Sequence, residues 1–307
     1  MWQFKSIEEA VIEGVKSIAT NCIKSGTVRK LIYTGTVLSS SPLKDDGSDY
    51  KNFIDETCWT PLHLPLTALH KEYVGSKTLA EKELSMSYGN GGIEVVSLAV
   101  GLVGGDALLS YIPVSVASLI AQVKDDEAIH ESLKFVEDIC GKIPLVHVDD
   151  VCEAHIFCAE NPSIKGRFLL ANSYASSAEI SNYYLQNYPE FNLKEKYLEG
   201  PRREIKWASA KLIDEGFVYK HDLKMILDDS IKCARRIGDL NVTDIVFFKL
   251  KEFIGIRWVL ILVKEWEQVH VTVLTKGFCS DVFVNTNLIN FYANQGGVEQ
   301  TRHVLMI

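Results

Sequence analysis

The chain has 307 residues, 47% of them apolar and 23% charged, a composition that excludes extensive disorder and supplies core for one large or two small domains. Its 32 Lys and Arg stand against 40 Asp and Glu, a net charge of -8, which argues against general attraction to phosphate backbones or anionic lipid. The 7 cysteines are scattered with no Cys-x-x-Cys pair, the usage of free thiols in a reducing compartment.

The opening residues MWQFKSIEEAVIEGV contain Lys5, Glu8, Glu9 and Glu13, so no apolar signal-peptide core is read there. Ile7, Val11, Val15, Ile18 and Cys22 recur at helical spacing and Ser25-Gly26 follows as a stop, which predicts a helix over 7–23. Lys30-Leu-Ile-Tyr-Thr34 is short, β-branched and aromatic, and predicts a strand. After a polar loop, a second helix is predicted near 73–87 and a second strand over 93–99. This alternation is the rhythm of a parallel α/β sheet.

Residues 106–142 read as loop plus helix, and 143–147 as another strand. Asp149 and Asp150 are expected to cap the helix that follows, which Asn161-Pro162 ends. From 167 to 236 short strands and helices alternate, closing in the basic, helical segment IKCARR. The segment 245–263 is apolar-rich, yet Lys249, Lys251, Glu252 and Arg257 are too many charges for a membrane span. The expectation is a soluble, cytoplasmic protein, with a boundary near 240: a main domain over 1–240, a junction over 241–263 and a helical tail over 264–307.

The sharpest chemical candidate is Tyr73-Val-Gly-Ser-Lys77. Residues i and i+4 share a helix face, so an ammonium can sit beside a phenol and favour its ionised form. A tyrosine so placed can act as a proton donor near neutral pH. The spacing alone is weak, and its weight comes from context. The strand Leu31-Ile-Tyr-Thr-Gly-Thr36 ends in hydroxyls, at the carboxyl end where ligands bind in open α/β sheets. A hydroxyl there can polarise the same substrate oxygen that Tyr73 protonates.

Other groups read as structural. His155 lies between Cys152 and Cys158, but no further ligands complete a site, and a packed helix is the preferred reading; no metal is expected. His147 ends a buried-looking strand, Asp45-Asp46 sits in a solvated loop, and Trp59 and Trp207 are expected in the core or a pocket wall.

Four segments together carry a resemblance over roughly 7–238: Gly26-Thr-Val-Arg-Lys-Leu-Ile-Tyr-Thr34, Asp55-Glu-Thr-Cys-Trp59, Tyr73-Val-Gly-Ser-Lys-Thr-Leu-Ala-Glu-Lys82 and Val146-His-Val-Asp-Asp-Val-Cys-Glu-Ala-His-Ile156. They resemble the plant branch of extended short-chain dehydrogenases that holds anthocyanidin, dihydroflavonol and vestitone reductases. The resemblance implies a Rossmann-like parallel sheet, incomplete here, with a small substrate-binding part. It implies an NADP(H)-dependent oxidoreductase that delivers hydride to a flavonoid-like ketone or anthocyanidin. Tyr73 would then be the general acid, Lys77 would assist it and hold the cofactor ribose, and the strand-end hydroxyl, serine in most relatives, falls on Thr36. Ala99, where relatives carry proline, Leu102 and Ser115 would lie against the cofactor.

The sequence departs from that pattern by lacking any Gly-x-Gly-x-x-Gly or Gly-x-x-Gly-x-x-Gly run, the turn that presents a helix N-terminus to a pyrophosphate. In the family the helix matching 7–23 follows four strands. The chain is therefore expected to start late, to turn over weakly or not at all, and to expose the edge of strand 30–34 for self-association. The alternative is a non-catalytic remnant or fusion product that binds a small phenolic ligand or a partner.

Residues 264–307 resemble pentatricopeptide repeats over one and a half repeats, with Asn287 at a base-reading position. Such repeats need about three copies to stack, so an RNA-binding role is the least favoured of the readings.

Overall fold

The computed structural model describes residues 6–64, 66–88 and 93–240. The expected helical tail over 264–307, the expected junction over 241–263 and Asn287 lie outside the described residues.

Helix α1 (Ile7–Ser25) begins where the Ser6 hydroxyl accepts the Glu9 N–H at 3.1 Å and stops at Gly26, whose φ of 65° closes a left-handed cap. Strand β1 (Lys30–Thr36) follows, then β2 (Phe53–Ile54), α2 (Ala68–Glu83), β3 (Glu94–Val100) and β4 (Leu102–Gly104). Next come α3 (Val114–Leu119), α4 (Glu127–Cys140), β5 (Ile143–His147), α5 (Val148–Glu160), β6 (Gly166–Leu170) and β7 (Ser173–Ala175). The remaining elements are α6 (Ser177–Asn187), β8 (Lys206–Trp207), α7 (Lys211–Asp214) and α8 (Leu223–Ile237).

The expected α/β architecture is present. Strands β1, β3 and β6 form a parallel sheet in that order, with Leu31 opposite Val95 and Leu98 opposite Phe168. At Gly101 the sheet forks. Strand β4 follows β3 and β7 follows β6 along the chain, and β5 lies between β4 and β7, parallel to β4 and antiparallel to β7. A Cβ on Gly101 would lie 2.8 Å from the Pro144 carbonyl oxygen, so only glycine lets β5 come this close at the fork.

Two cores flank the sheet. On one side Ile32, Val96, Leu98 and Phe168 pack against Val151, Ala154 and Cys158 of α5. On the other, Leu31, Tyr33 and Val95 meet Val15, Ala19 and Cys22 of α1 and Ala80 of α2. A third, larger cluster joins α3, α4, α6 and α8 around Leu119, Leu133, Tyr184 and Ile231. Among the described residues β1 pairs with a strand on one side only, although its side chains from Lys30 to Thr34 are buried.

The structure corrects several sequence expectations. The second helix begins at Ala68, five residues before Tyr73, because the Thr67 hydroxyl caps it, and a π-helical turn over Leu84–Tyr88 extends it. The stretch 106–142 holds two helices, since the chain turns after Leu119 and restarts where Asp126 accepts the Ile129 N–H. Asp149 and Asp150 do not cap α5: the cap is the His147 ring, whose Nδ1 accepts the Asp149 N–H at 3.2 Å, and both aspartates lie in the first turn.

Candidate active site

A partly open cavity of about 110 Å³ lies beside the fork of the sheet. Its walls come from the end of β1 (Thr34, Gly35, Thr36), from Tyr73 and Lys77 of α2, and from the β3–β4 stretch (Val100, Gly101, Val103, Gly104). The loop after β4, Pro113 and Ser115 at the start of α3, and Val148 and Val151 of α5 complete it. Two elements of separate sequence regions, β1 and α2, therefore deliver the three catalytic candidates, Thr36, Tyr73 and Lys77, to one space.

Helix α2 holds its side chains in place through Glu81, one turn beyond Lys77. Glu81 is fully buried, receives the Ser97 hydroxyl at 2.6 Å and pairs with Arg167 at 2.9 Å. Arg167 in turn stacks on Trp59 at 3.8 Å and donates to the carbonyl oxygens of Glu56 and Cys58. Trp59 thus belongs to the structure that clamps α2 to the sheet.

Within the cavity, burial lowers the Lys77 ammonium to about pH 8. Thr36 sits at the end of β1, where its Oγ1 accepts the Leu38 N–H at 3.3 Å, leaving the hydroxyl proton available to the cavity. Ser115 is buried and lines the space. Ala99 and Leu102, the other two positions expected against a cofactor, are not lining residues. Ala99 packs among Ile54, Cys58 and Leu169, and Leu102 packs against the large helical core. Their chain neighbours Val100, Gly101 and Val103 face the cavity instead.

Sequence reasoning read His155 as a packed helix residue and did not single out Thr34. Thr34 lines the cavity, and its Oγ1 lies 2.6 Å from Nε2 of His155. His155 is therefore bonded to the strand rather than to Cys152 or Cys158. The available signal was periodicity: Thr34 shares a strand face with Ile32, which packs against α5, and His155 lies one turn after Val151 on that helix.

Of the described residues, His147, Asp149 and His221 bring three metal-ligating side chains together. The two imidazoles are stacked at 3.8 Å and 12°, so their in-plane lone pairs run side by side instead of converging on one ion. His221 Nδ1 lies 3.1 Å from Asp150 Oδ1, and His147 Nε2 lies 3.3 Å from Asp229 Oδ2. The group ties β5, α5 and α8 together behind the cavity wall.

No family model matches the chain. It is 30% identical over 234 residues to the anthocyanidin reductase of Arabidopsis thaliana, spanning 74% of this chain and 67% of that protein. It is also 30% identical over 245 residues to the dihydroflavonol 4-reductase of Gerbera hybrida, spanning 78% and 63%. Among solved structures, vestitone reductase from alfalfa aligns with a TM-score of 0.62 at 27% identity, covering 76% of this chain and 73% of that one. The yeast methylglyoxal/isovaleraldehyde reductase Gre2 complexed with NADPH shares the fold at a TM-score of 0.54 and 17% identity, covering 78% and 75%.

Proposed function

The chain belongs to the flavonoid-reductase branch of the extended short-chain dehydrogenases and reductases, and from that premise we propose that its cavity carries out NADPH-dependent reduction of a small phenolic, flavonoid-like substrate. The observation that supports this reading is the meeting of Thr36, Tyr73 and Lys77 on one cavity. The polar set fits the nicotinamide riboside half of the cofactor: two strand-end hydroxyls, a phenol, a serine and one ammonium line one partly open space.

Reduced nicotinamide, when bound, supplies the hydride to an electrophilic carbon of the substrate. Tyr73 donates a proton to the oxygen that becomes electron-rich, and its place on α2 sets it one turn from Lys77. The ammonium offsets the charge Tyr73 acquires when that proton leaves, and it is positioned to donate to a ribose hydroxyl. Thr36, with its oxygen already occupied by the Leu38 N–H, aims its own proton at the same substrate oxygen. The apolar lining from Val100, Val103, Val116 and Val148 keeps water from competing for these donors.

A second reading is ligand binding without turnover. It is favoured by the lining itself, in which Lys77 is the one charged side chain among the described residues, which offers little to a pyrophosphate.

Calorimetry of the full chain with NADPH, followed by NADPH oxidation with an anthocyanidin, separates the two. Saturable binding and turnover that Tyr73→Phe lowers by about a hundredfold or more support the reductase. Binding of the phenolic with no oxidation of NADPH supports the second reading.

A further inference from the structure

Thr34 and Thr36 stand two residues apart on β1, and their hydrogen bonds give the two hydroxyls opposite polarity. Thr36 Oγ1 receives a backbone N–H, so its own proton stays available for donation at the cavity it lines. Thr34 is the reverse case. Its partner His155 has Nδ1 2.8 Å from the Val151 carbonyl oxygen, and a carbonyl only accepts. The ring proton therefore sits on Nδ1, and Nε2 of the neutral ring is left as a lone pair. Burial lowers the His155 pKa and so favours that neutral form.

With Nε2 as acceptor at 2.6 Å, the Thr34 hydroxyl donates to it and has no proton left for a ligand. What remains on the cavity side of Thr34 is oxygen lone-pair density. Thr34 and Val151, the two partners of His155, both line the cavity, so the imidazole sits directly behind its wall and links β1 to α5.

We propose that His155 is a positioning residue that holds Thr34 as an acceptor-only contact, so that this wall selects a hydrogen-bond donor on the ligand. In the nicotinamide nucleotide of the proposed function, on which this inference rests, the donor is the carboxamide NH2 or a ribose hydroxyl. The pair then complements Thr36: one hydroxyl gives a proton to the site and the other takes one, two residues apart on one strand.

The first test is NMR of the imidazole nitrogens in the full chain without ligand. The expected result is a neutral His155 protonated on Nδ1, with the Nε2 resonance moving in Thr34→Val and returning in Thr34→Ser. A His155 protonated on Nε2, or one unchanged by Thr34→Val, overturns the assignment whether or not any cofactor binds.

The second test is calorimetric binding of NADPH. Thr34→Val is expected to raise the Kd about fivefold to tenfold, the worth of one net hydrogen bond, with recovery in Thr34→Ser. His155→Phe is expected to raise it by a similar factor, with little added in the double variant, because the two residues act as a unit. If His155→Phe does not fold, the threonine variants and the nitrogen resonances decide. An acetylpyridine analogue, which lacks the amide NH2, locates the donor: a Thr34→Val penalty that vanishes assigns the carboxamide, and one that persists assigns the ribose. NADPH binding by wild type that Thr34→Val leaves unchanged overturns the proposal. Failure of the wild type to bind NADPH instead overturns the cofactor reading, and the resonances still decide the Thr34–His155 assignment.

Discussion

Arg167 Nε donates to Glu81 Oε1 at 2.9 Å in the core, with Glu81 fully buried and the arginine side chain 8% exposed. The pair joins β6 to α2, and every other polar atom of the arginine fork is occupied by Ser39, Ser40 and the Glu56 and Cys58 carbonyls. Its consequence for function is positional, because Lys77 lies one helical turn from Glu81.

Glu81→Gln keeps the shape and removes the charge, leaving a buried guanidinium without its counter-ion. The expected loss of stability is about 3–5 kcal/mol, read as a fall in the urea midpoint. The pair replacement Glu81→Leu with Arg167→Met is expected to cost less than either single change, since it leaves no buried charge behind. A single variant as stable as wild type would refute the account of the clamp.

Lys77 yields a prediction with a pH signature. Its folded pKa is about 8 against an ordinary value of 10.5, so between those values the unfolded chain binds more protons than the native one. Stability therefore rises with pH across that window, and the cost of the buried ammonium is fully present below it. Lys77→Met is expected to be more stable than wild type at neutral pH, by on the order of 2 kcal/mol, and to lose the alkaline rise. The same variant should lose NADPH binding. A variant that is no more stable at neutral pH, with the same alkaline rise, would show that burial does not govern this amine.

Much of this fold was legible in sequence because its signals are local. Helix α1 has a serine cap and a glycine stop, and β1, β3 and β5 read as short β-branched runs. The fork at Gly101 was not legible, since it depends on the approach of the Pro144 carbonyl from a strand more than forty residues away in sequence. The same limit applies at the site. Tyr73 and Lys77 announce themselves by an i, i+4 spacing, whereas Thr34 and His155 are 121 residues apart, and periodicity places each on the face where β1 and α5 meet without marking the pairing. The aspartates after His147 misled the capping prediction because a ring nitrogen performed the task first.

Gly105 illustrates a backbone constraint at the cavity. Its φ is +114°, and an added Cβ would lie 2.4 Å from Nε2 of His147. Gly105→Ala must both strain the backbone and push the imidazole off its stack on His221, 3.8 Å away. The expected cost is about 1–3 kcal/mol in thermal or chemical unfolding, together with weaker ligand binding, since Gly105 and its neighbours form the cavity rim. Unchanged stability in this variant would mean that the loop after β4 relaxes freely away from β5.

Acid sensitivity follows from the histidines. Burial is the first cause that lowers His70, His130, His147 and His155 from the ordinary value of 6.5. His147 is lowered further by the facing His221, against the opposing pull of Asp149, Asp229 and Asp150. For each, the native state takes up a proton less readily than the unfolded chain, so their joint contribution is present above pH 6.5 and lost as pH falls through the folded values. Surface carboxylates titrate mainly below about pH 5, and burial raises the Glu137 carboxyl, which opposes the imidazoles as pH falls, so the decline between about pH 5 and 6.5 is the imidazoles' contribution less that of Glu137. The urea midpoint is expected to decline steadily across that interval and to hold level between about pH 6.5 and 7.5. His130→Phe, which removes a buried imidazole 4.8 Å from the Tyr197 ring, should flatten the decline. A midpoint that is constant down to about pH 5 would mean that these rings gain their protons without leaving the fold, through water reaching the core.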